Sequence, residues 1–261
     1  MIGQTIQTFP SLTEGILLKR YKRFLADVKL DSGELVTAHC ANTGPMTGVL
    51  QPGGRIRLRY VPSPSRKLSW SWEQAQVPSG KGFCWVGVNT SAPNKLVRLA
   101  IEAGFLKKEL GEIKEIRNEV VYGIERKSRI DLLLTPDSNN CDLREIYIEI
   151  KNTTWTKEEK ALFPDTVTTR GQKHLNEMMS QLPQSRSVLV PCISRSDVEV
   201  FAPGDSADPV YGGLFRRAIT AGVEIIPCSF GFHNDHITWE GTKPFLKREE
   251  DSLSLATRVL S

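Results

Sequence analysis

The residues of this 261-residue chain best suited to chemistry are three charges set into runs that otherwise read as buried β-strand. In Tyr147-Ile148-Glu149-Ile150-Lys151 the isoleucines at 146, 148 and 150 share one face, so Glu149 and Lys151 project together from the other, about 6 to 7 Å apart. In Ser128-Arg129-Ile130-Asp131-Leu132-Leu133-Leu134, Asp131 sits among aliphatic residues, where a carboxylate is costly unless paired or bound to a cation. If the two runs are antiparallel neighbours joined by the polar stretch 135–144, Asp131 and Glu149 lie about 5 Å apart across the ladder. Carboxylates that close repel each other. A hard divalent cation, Mg²⁺ or Mn²⁺, offsets the repulsion and keeps waters that exchange for phosphate oxygens. Lys151 would then orient or activate a water and stabilise phosphorane charge, the arrangement of a phosphodiester-cleaving site. The alternative is a structural Asp/Glu/Lys salt bridge at a solvated sheet edge, and spacing leaves both readings open.

Further groups can serve or compete with this site. Asp165 or Thr168 is placed to cap a helix starting near Arg170, whose free N–H groups would take a DNA phosphate, with Arg170, Lys173 and His174 on or near its first turn. Asp165 is alternatively a metal ligand. Glu119, ahead of Val120-Val121-Tyr122, is a further candidate carboxylate or a solvent-facing strand residue, and Glu125 is a weaker one. Lys19-Arg20-Tyr21-Lys22-Arg23-Phe24 interleaves four cations with two rings, suited to phosphate neutralisation and base stacking, and Asn42, Thr43 and Asn89 can add polar contacts. Trp70, Trp72 and Trp85 read as barrel wall or core. His233, His236 and Cys228 lack the second ligand pair of a closed zinc site. No G-x-x-x-x-G-K-[ST] loop or G-x-S-x-G elbow occurs, which disfavours an ATPase or a serine hydrolase.

Two kinds of texture position these residues. Short β runs at 16–18, 24–30, 34–38 and 55–60, with further ones at 70–73 and 83–88, predict a small half-solvated barrel of OB type over residues 1–88. In the 55–60 run Ile56, Leu58 and Tyr60 face one way and Arg55, Arg57 and Arg59 the other. From Asn89 strands and helices mix: a helix capped by Ser91 or Asn94 and ended by Gly104, strands near 116–122, 128–135 and 145–152, and a helix near 169–181. Strands near 187–193 and 198–201, a helix at 209–221 and a strand at 223–227 complete an α/β domain over 89–243, with 244–261 as a tail.

Composition agrees with an ordinary globular protein, 39% apolar and 25% charged. Residues 1–90 hold 11 Lys/Arg against 5 Asp/Glu, and the remainder 23 against 25, so the first module is the one to attract a polyanion. No apolar run reaches membrane-spanning length and the N-terminus has no export signal, which predicts a cytoplasmic protein. Five widely spaced cysteines predict reduced, mostly buried thiols.

Asp131, then 17 residues, then Glu149-Ile150-Lys151 resembles the D...(D/E)-x-K signature of restriction-endonuclease-like nucleases. More specifically, four segments in one order resemble the sugar fermentation stimulation protein A (SfsA) family: Arg20 to Val28, Cys40 to Met46, Ser128 to Asp131, and Phe163 to Leu175. The resemblance spans roughly residues 16–230. It implies an N-terminal OB-like barrel, a C-terminal restriction-endonuclease-like α/β domain, and DNA as partner; RNA stays open on separate grounds, because stacking and a basic groove read single strands of either polymer. It strengthens the reading of Asp131 and Glu149 as ligands of Mg²⁺ or Mn²⁺ and of Lys151 as the group that positions water and scissile phosphate. The expected nucleic-acid contacts are Arg20, Tyr21, Lys22, Arg23, Asn42, Thr43, Arg170, Lys173 and His174. A DNA-binding regulator that keeps this fold without cleaving is the alternative.

Overall fold

Alternating burial builds the first module, in a computed structural model that describes residues 1–80, 82–123 and 128–257. The first strand, β1 (Gln4–Thr8), leaves this module for another sheet. Then β2 (Thr13–Tyr21), β3 (Leu25–Leu30), β4 (Leu35–His39), β5 (Arg55–Tyr60) and β6 (Trp70–Ser79) follow, with β7 (Gly82–Gly87) paired to β6. Every second side chain goes inward, so Leu17, Ala26, Val28, Ile56, Leu58 and Trp72 form one apolar core. The hydrogen-bonded order β4-β3-β2-β5-β6 is antiparallel, and a parallel β4–β6 pairing, Ala38 opposite Trp70, closes the five strands into a barrel. This is an OB fold. Gly15 is required where β2 crosses β3, because a Cβ there would lie 2.6 Å from the Lys29 carbonyl oxygen.

The second module opens with α1 (Ala92–Glu102) and the short α2 (Lys107–Leu110). A hairpin of β8 (Ile113–Tyr122) and β9 (Ser128–Pro136) leads to β10 (Ile146–Thr153), then to β11 (Trp155–Lys157) and β12 (Lys160–Phe163). The chain continues through α3 (Thr169–Ser180), β13 (Arg186–Ile193), β14 (Val200–Pro203), α4 (Pro209–Ala221), β15 (Glu224–Ile225), β16 (Cys228–Phe232) and β17 (His236–Thr242). The main sheet runs β1-β17-β16-β13-β10-β9-β8, and β15 also pairs with β13. It is mixed: β13 is parallel to β10, β15 and β16, and the other pairings are antiparallel. Along β13, Val188, Val190 and Cys192 pack with Leu96, Val97 and Ala100 of α1, whereas Leu189 and Ile193 pack with Leu175 of α3 and Phe215 of α4. Helices therefore cover both faces, as the apolar runs of doubly buried strands require.

Two expectations need correcting. Residues 4–8 belong to the main sheet, on β17, and not with the barrel, a pairing across more than two hundred residues for which no local pattern exists. The strand expected at 223–227 shrinks to two residues. The described part of the C-terminal stretch docks: Leu246 is buried and Phe245 bridges both Phe201 and Thr257. Cys40, Cys84, Cys192 and Cys228 are buried free thiols and Cys141 is exposed. Among the described residues no helix is long and apolar enough to cross a membrane.

Candidate metal and phosphate site

Pairing of β9 with β10, with Leu134 opposite Ile146 and Leu132 opposite Ile148, carries Asp131 beside Glu149 at the end of the ladder. Asp131 there replaces a backbone partner. Its Oδ2 accepts the Ile150 N–H at 2.7 Å and its Oδ1 accepts the Asn94 side-chain amide of α1 at 2.9 Å. Burial first, and the neighbouring Glu149 charge second, push its pKa from 3.8 up to about 6 against those two hydrogen bonds.

Glu149 is the more deeply buried carboxylate, its side chain 3% exposed. Its Oε1 takes the Lys151 ammonium at 2.6 Å and also meets Nδ1 of His174, while its Oε2 is buried with no partner. Burial alone would raise the Glu149 pKa, but the bond to His174 and the charge of Lys151 outweigh it and hold the carboxyl below its ordinary value. Lys151 Nζ lies 3.1 Å from His174 Nδ1, and Arg170 Nε donates to His174 Nε2 at 3.4 Å. A line of side chains thus runs from the surface at Arg170 through His174 to Glu149 and Lys151.

The helix that supplies His174 is fixed by its start. Thr168 accepts the Gly171 N–H, and Asp208, which caps α4 at Tyr211, also takes the Thr168 N–H and both contacts from the Gln172 amide. The Thr168 and Gly171 N–H groups are thus satisfied within the protein. His174 itself is buried on the inward stripe Gly171, His174, Leu175, Met178. The expected phosphate contact is instead a partner of Glu149, and the helical spacing of that stripe is the signal that would have found it. Asn94, whose side chain bonds Asp131 and caps no helix end, had no such signal. Lys173 is exposed and pairs with Glu177 at 3.4 Å.

Other expected residues stand apart from the carboxylate pair. Glu119 falls in β8 between Asn118 and Val120, which face Leu132 and Ile130, so it is level with Asp131, but it is exposed with φ +52°. Asp165 accepts the Thr47 N–H at 3.2 Å and ties the helix start to the barrel. Glu125 lies outside the described residues. His233 and His236 stack at 4.2 Å, and no group of three or more His, Cys, Asp or Glu able to hold a metal occurs among the described residues. An ion held by Asp131 and Glu149 would therefore keep most of its coordination for water or phosphate, as Mg²⁺ does. The free Oε2 of Glu149 and the raised pKa of Asp131 fit such a cation.

On the barrel, arginines expected to meet phosphate hold carbonyls. Arg20 donates to the carbonyls of Arg23, Asn42 and Gly44, and Arg23 to that of Thr43. Tyr21 donates to Asp27, and the Asn42 side chain accepts the Gly44 N–H. Lys22 and Thr43 are exposed. The 41–48 loop so braced reaches both helices that serve the site: Thr90, just before α1, donates to the Ala41 carbonyl, and Thr47 donates to Asp165, just before α3. The segments 20–28, 40–46 and 163–175 are thus joined in space.

Residues 18–88 match the family model described as the SfsA N-terminal OB domain, and residues 91–236 match the sugar fermentation stimulation protein RE domain. A sugar fermentation stimulation protein homolog of Prochlorococcus marinus is 76% identical over 249 residues, covering 95% of this chain and 99% of the relative. This chain belongs to the SfsA family. A homolog from Synechococcus sp. is 65% identical over 245 residues, covering 94% of this chain and 96% of its own. The structure of Pyrococcus furiosus SfsA in complex with Ca²⁺ superposes with a TM-score of 0.80 at 24% identity, covering 93% of this chain and 99% of that one, which establishes the shared SfsA fold.

Proposed function

We propose that this SfsA family member is a DNA-binding protein with a divalent-metal-dependent site for phosphodiester hydrolysis, in a domain of restriction-endonuclease type. The observation that carries the reading is a carboxylate pair inside the sheet in which Glu149 keeps an unpartnered buried oxygen and Asp131 is pushed toward neutrality. Mg²⁺ or Mn²⁺ bound there would polarise a phosphate oxygen and make water a stronger nucleophile. Asp131 and Glu149 would hold the ion. Asn94 fixes the first through one oxygen and His174 fixes the second, so neither carboxylate has to reorganise on binding. Lys151 brings a positive charge beside Glu149, where it can contact the scissile phosphate. The Ca²⁺ named with the Pyrococcus furiosus protein supports the choice of a hard, oxygen-seeking cation.

The test is scission of labelled single-stranded, duplex and nicked DNA in Mg²⁺, Mn²⁺ or EDTA, with wild type, Glu149→Gln and Lys151→Met. Metal-dependent cleavage lost in both variants is the expected result. The second reading, a regulator that binds DNA without cutting it, is favoured by the 2.6 Å Lys151–Glu149 ion pair, which already neutralises one carboxylate. Binding with no scission on any substrate would select it.

A further inference from the structure

The barrel strand richest in arginine is not where a polyanion would bind. Arg55 pairs with Glu14 and Asp31, Arg57 with Glu14, and Arg59 with Glu73. Arg57 also lies 3.7 Å over the Trp85 ring, and Arg59 covers Phe9. Cations without a carboxylate gather elsewhere, at the barrel end where β2 turns into β3 and β4 finishes. A groove of about 590 Å³ opens there between the 22–24 turn and the 61–69 loop. Lys22, Arg66 and Lys67 bring positive charge to it, His39 a ring nitrogen, and Leu25 and Leu68 an apolar floor. Among the described residues no acidic side chain lines it, and neither Lys22 nor Lys67 makes an ion pair.

Two further observations mark this groove as built. Phe24 stands in it 45% exposed, an aromatic ring open to solvent. Lys22 and Arg23 both hold left-handed backbones, φ +49° and +67°, a conformation that costs a residue with a Cβ roughly 1–2 kcal/mol. Arg20 braces that turn through the Arg23 carbonyl. Positive φ at successive residues is what a tight hairpin turn uses, and here the braced turn holds a cation and an open ring out toward the groove.

We infer that this groove binds single-stranded nucleic acid, with an unpaired base stacked on Phe24 and its phosphates on Lys22, Arg66 and Lys67. Unpaired bases expose the ring faces that a lone aromatic recognises, whereas those of a duplex are covered by stacking. The inference rests on the reading of the chain as a nucleic-acid-binding protein and adds the form of the polymer. The groove also adjoins the path to the carboxylate pair. His39 ends β4 and leads into the 41–48 loop, where Thr43 meets Arg23 and Thr47 meets Asp165, four residues or at most about 14 Å apart. A strand leaving the groove along that loop would arrive at the start of α3.

The test is fluorescence anisotropy in EDTA with the full chain and labelled dT15, U15 and a 15-base-pair duplex, beside the scission assay in Mn²⁺. The expected result is tighter binding of dT15 or U15 than of duplex, with the two strands telling DNA from RNA. Phe24→Ala should weaken it about 5- to 150-fold, the range for one stacked base. Lys67→Glu should weaken it and flatten the salt dependence by about 0.7 in log–log slope. Both side chains are exposed, so near-unchanged melting temperatures are expected. Single-strand affinity unchanged in Phe24→Ala, or wild type preferring duplex, overturns the inference, while metal-dependent scission would leave the proposed function standing. Phe24-dependent single-strand binding without scission supports the groove and refutes the hydrolytic reading.

Discussion

Asp131→Asn should make the protein more stable at pH 8 and not at pH 4. Asp131 titrates near 3.8 when unfolded and at about 6 in the fold, because burial and then the Glu149 charge oppose its ionisation. Between those values the folded chain holds a proton that the unfolded chain has released, so rising pH favours unfolding. The penalty is absent below about pH 4 and complete above about pH 7, where the shift corresponds to about 3 kcal/mol. Asparagine carries no charge, can accept the Ile150 N–H through its carbonyl and can bond Asn94 through its amide, so most of that relief should survive. Urea denaturation of both proteins should show Asp131→Asn ahead by about 1–3 kcal/mol at pH 8, closing toward zero by pH 4. Mn²⁺ at 100 times its dissociation constant should offset most or all of that lead, since it stabilises only the protein that binds it, by about 2.7 kcal/mol. A variant equal to or below wild type at pH 8 in EDTA, or a gap independent of pH, would refute the account of Asp131 as a carboxylate held at an electrostatic cost.

Glu149→Gln should behave with the opposite sign. The folded pKa of Glu149 is depressed, so its contribution is present above its unfolded pKa and is lost as pH falls, and the variant should be destabilised by about 3 kcal/mol at pH 7 with the difference fading in acid; denaturation between pH 3 and 7 checks this. Arg20→Lys loses the planar fork that holds three carbonyls and should cost about 2 kcal/mol by the same measurement, whereas Lys22→Ala, at an exposed side chain, should stay within about 1 kcal/mol. Lys22→Gly removes left-handed strain and should raise stability by up to about 1 kcal/mol while weakening single-strand binding, read by melting and by anisotropy.

Where sequence and structure agree, the signal was local. The inward isoleucines of β10 locate Glu149 and Lys151 on one face, Asp208-Pro209 begins α4, and Gly222 ends it in a left-handed conformation. Where they part, the deciding partner comes from far along the chain. Alternation correctly puts Arg55, Arg57 and Arg59 outside the barrel, but the carboxylates that neutralise them come from residues 14, 31 and 73. Strand β16, Cys228–Phe232, is buried at every position and contains a glycine, so it carries neither alternation nor a charge to fix its face. His174 was visible as a residue of the inward stripe of α3, yet its chemistry depends on which strand that stripe meets.

The junction between the modules bears on how a substrate would be recognised. Only four residues, 88–91, separate β7 from α1. The barrel packs directly on the main sheet: Gly87 donates to the Ser194 carbonyl, and a Cβ on Gly87 would lie 2.3 Å from the Phe232 ring. Gln74 in the barrel donates to the His233 carbonyl, and Thr47 to Asp165. A hinge needs a few residues free to change φ and ψ, and these contacts cross the junction from several strands at once. The barrel groove and the carboxylate pair should then keep a fixed separation, and discrimination has to come from the shape and flexibility of the polymer. A stiff duplex can satisfy both places only if their spacing matches its helix, whereas a single strand, or a duplex ending in one, can bend along the 41–48 loop to reach both.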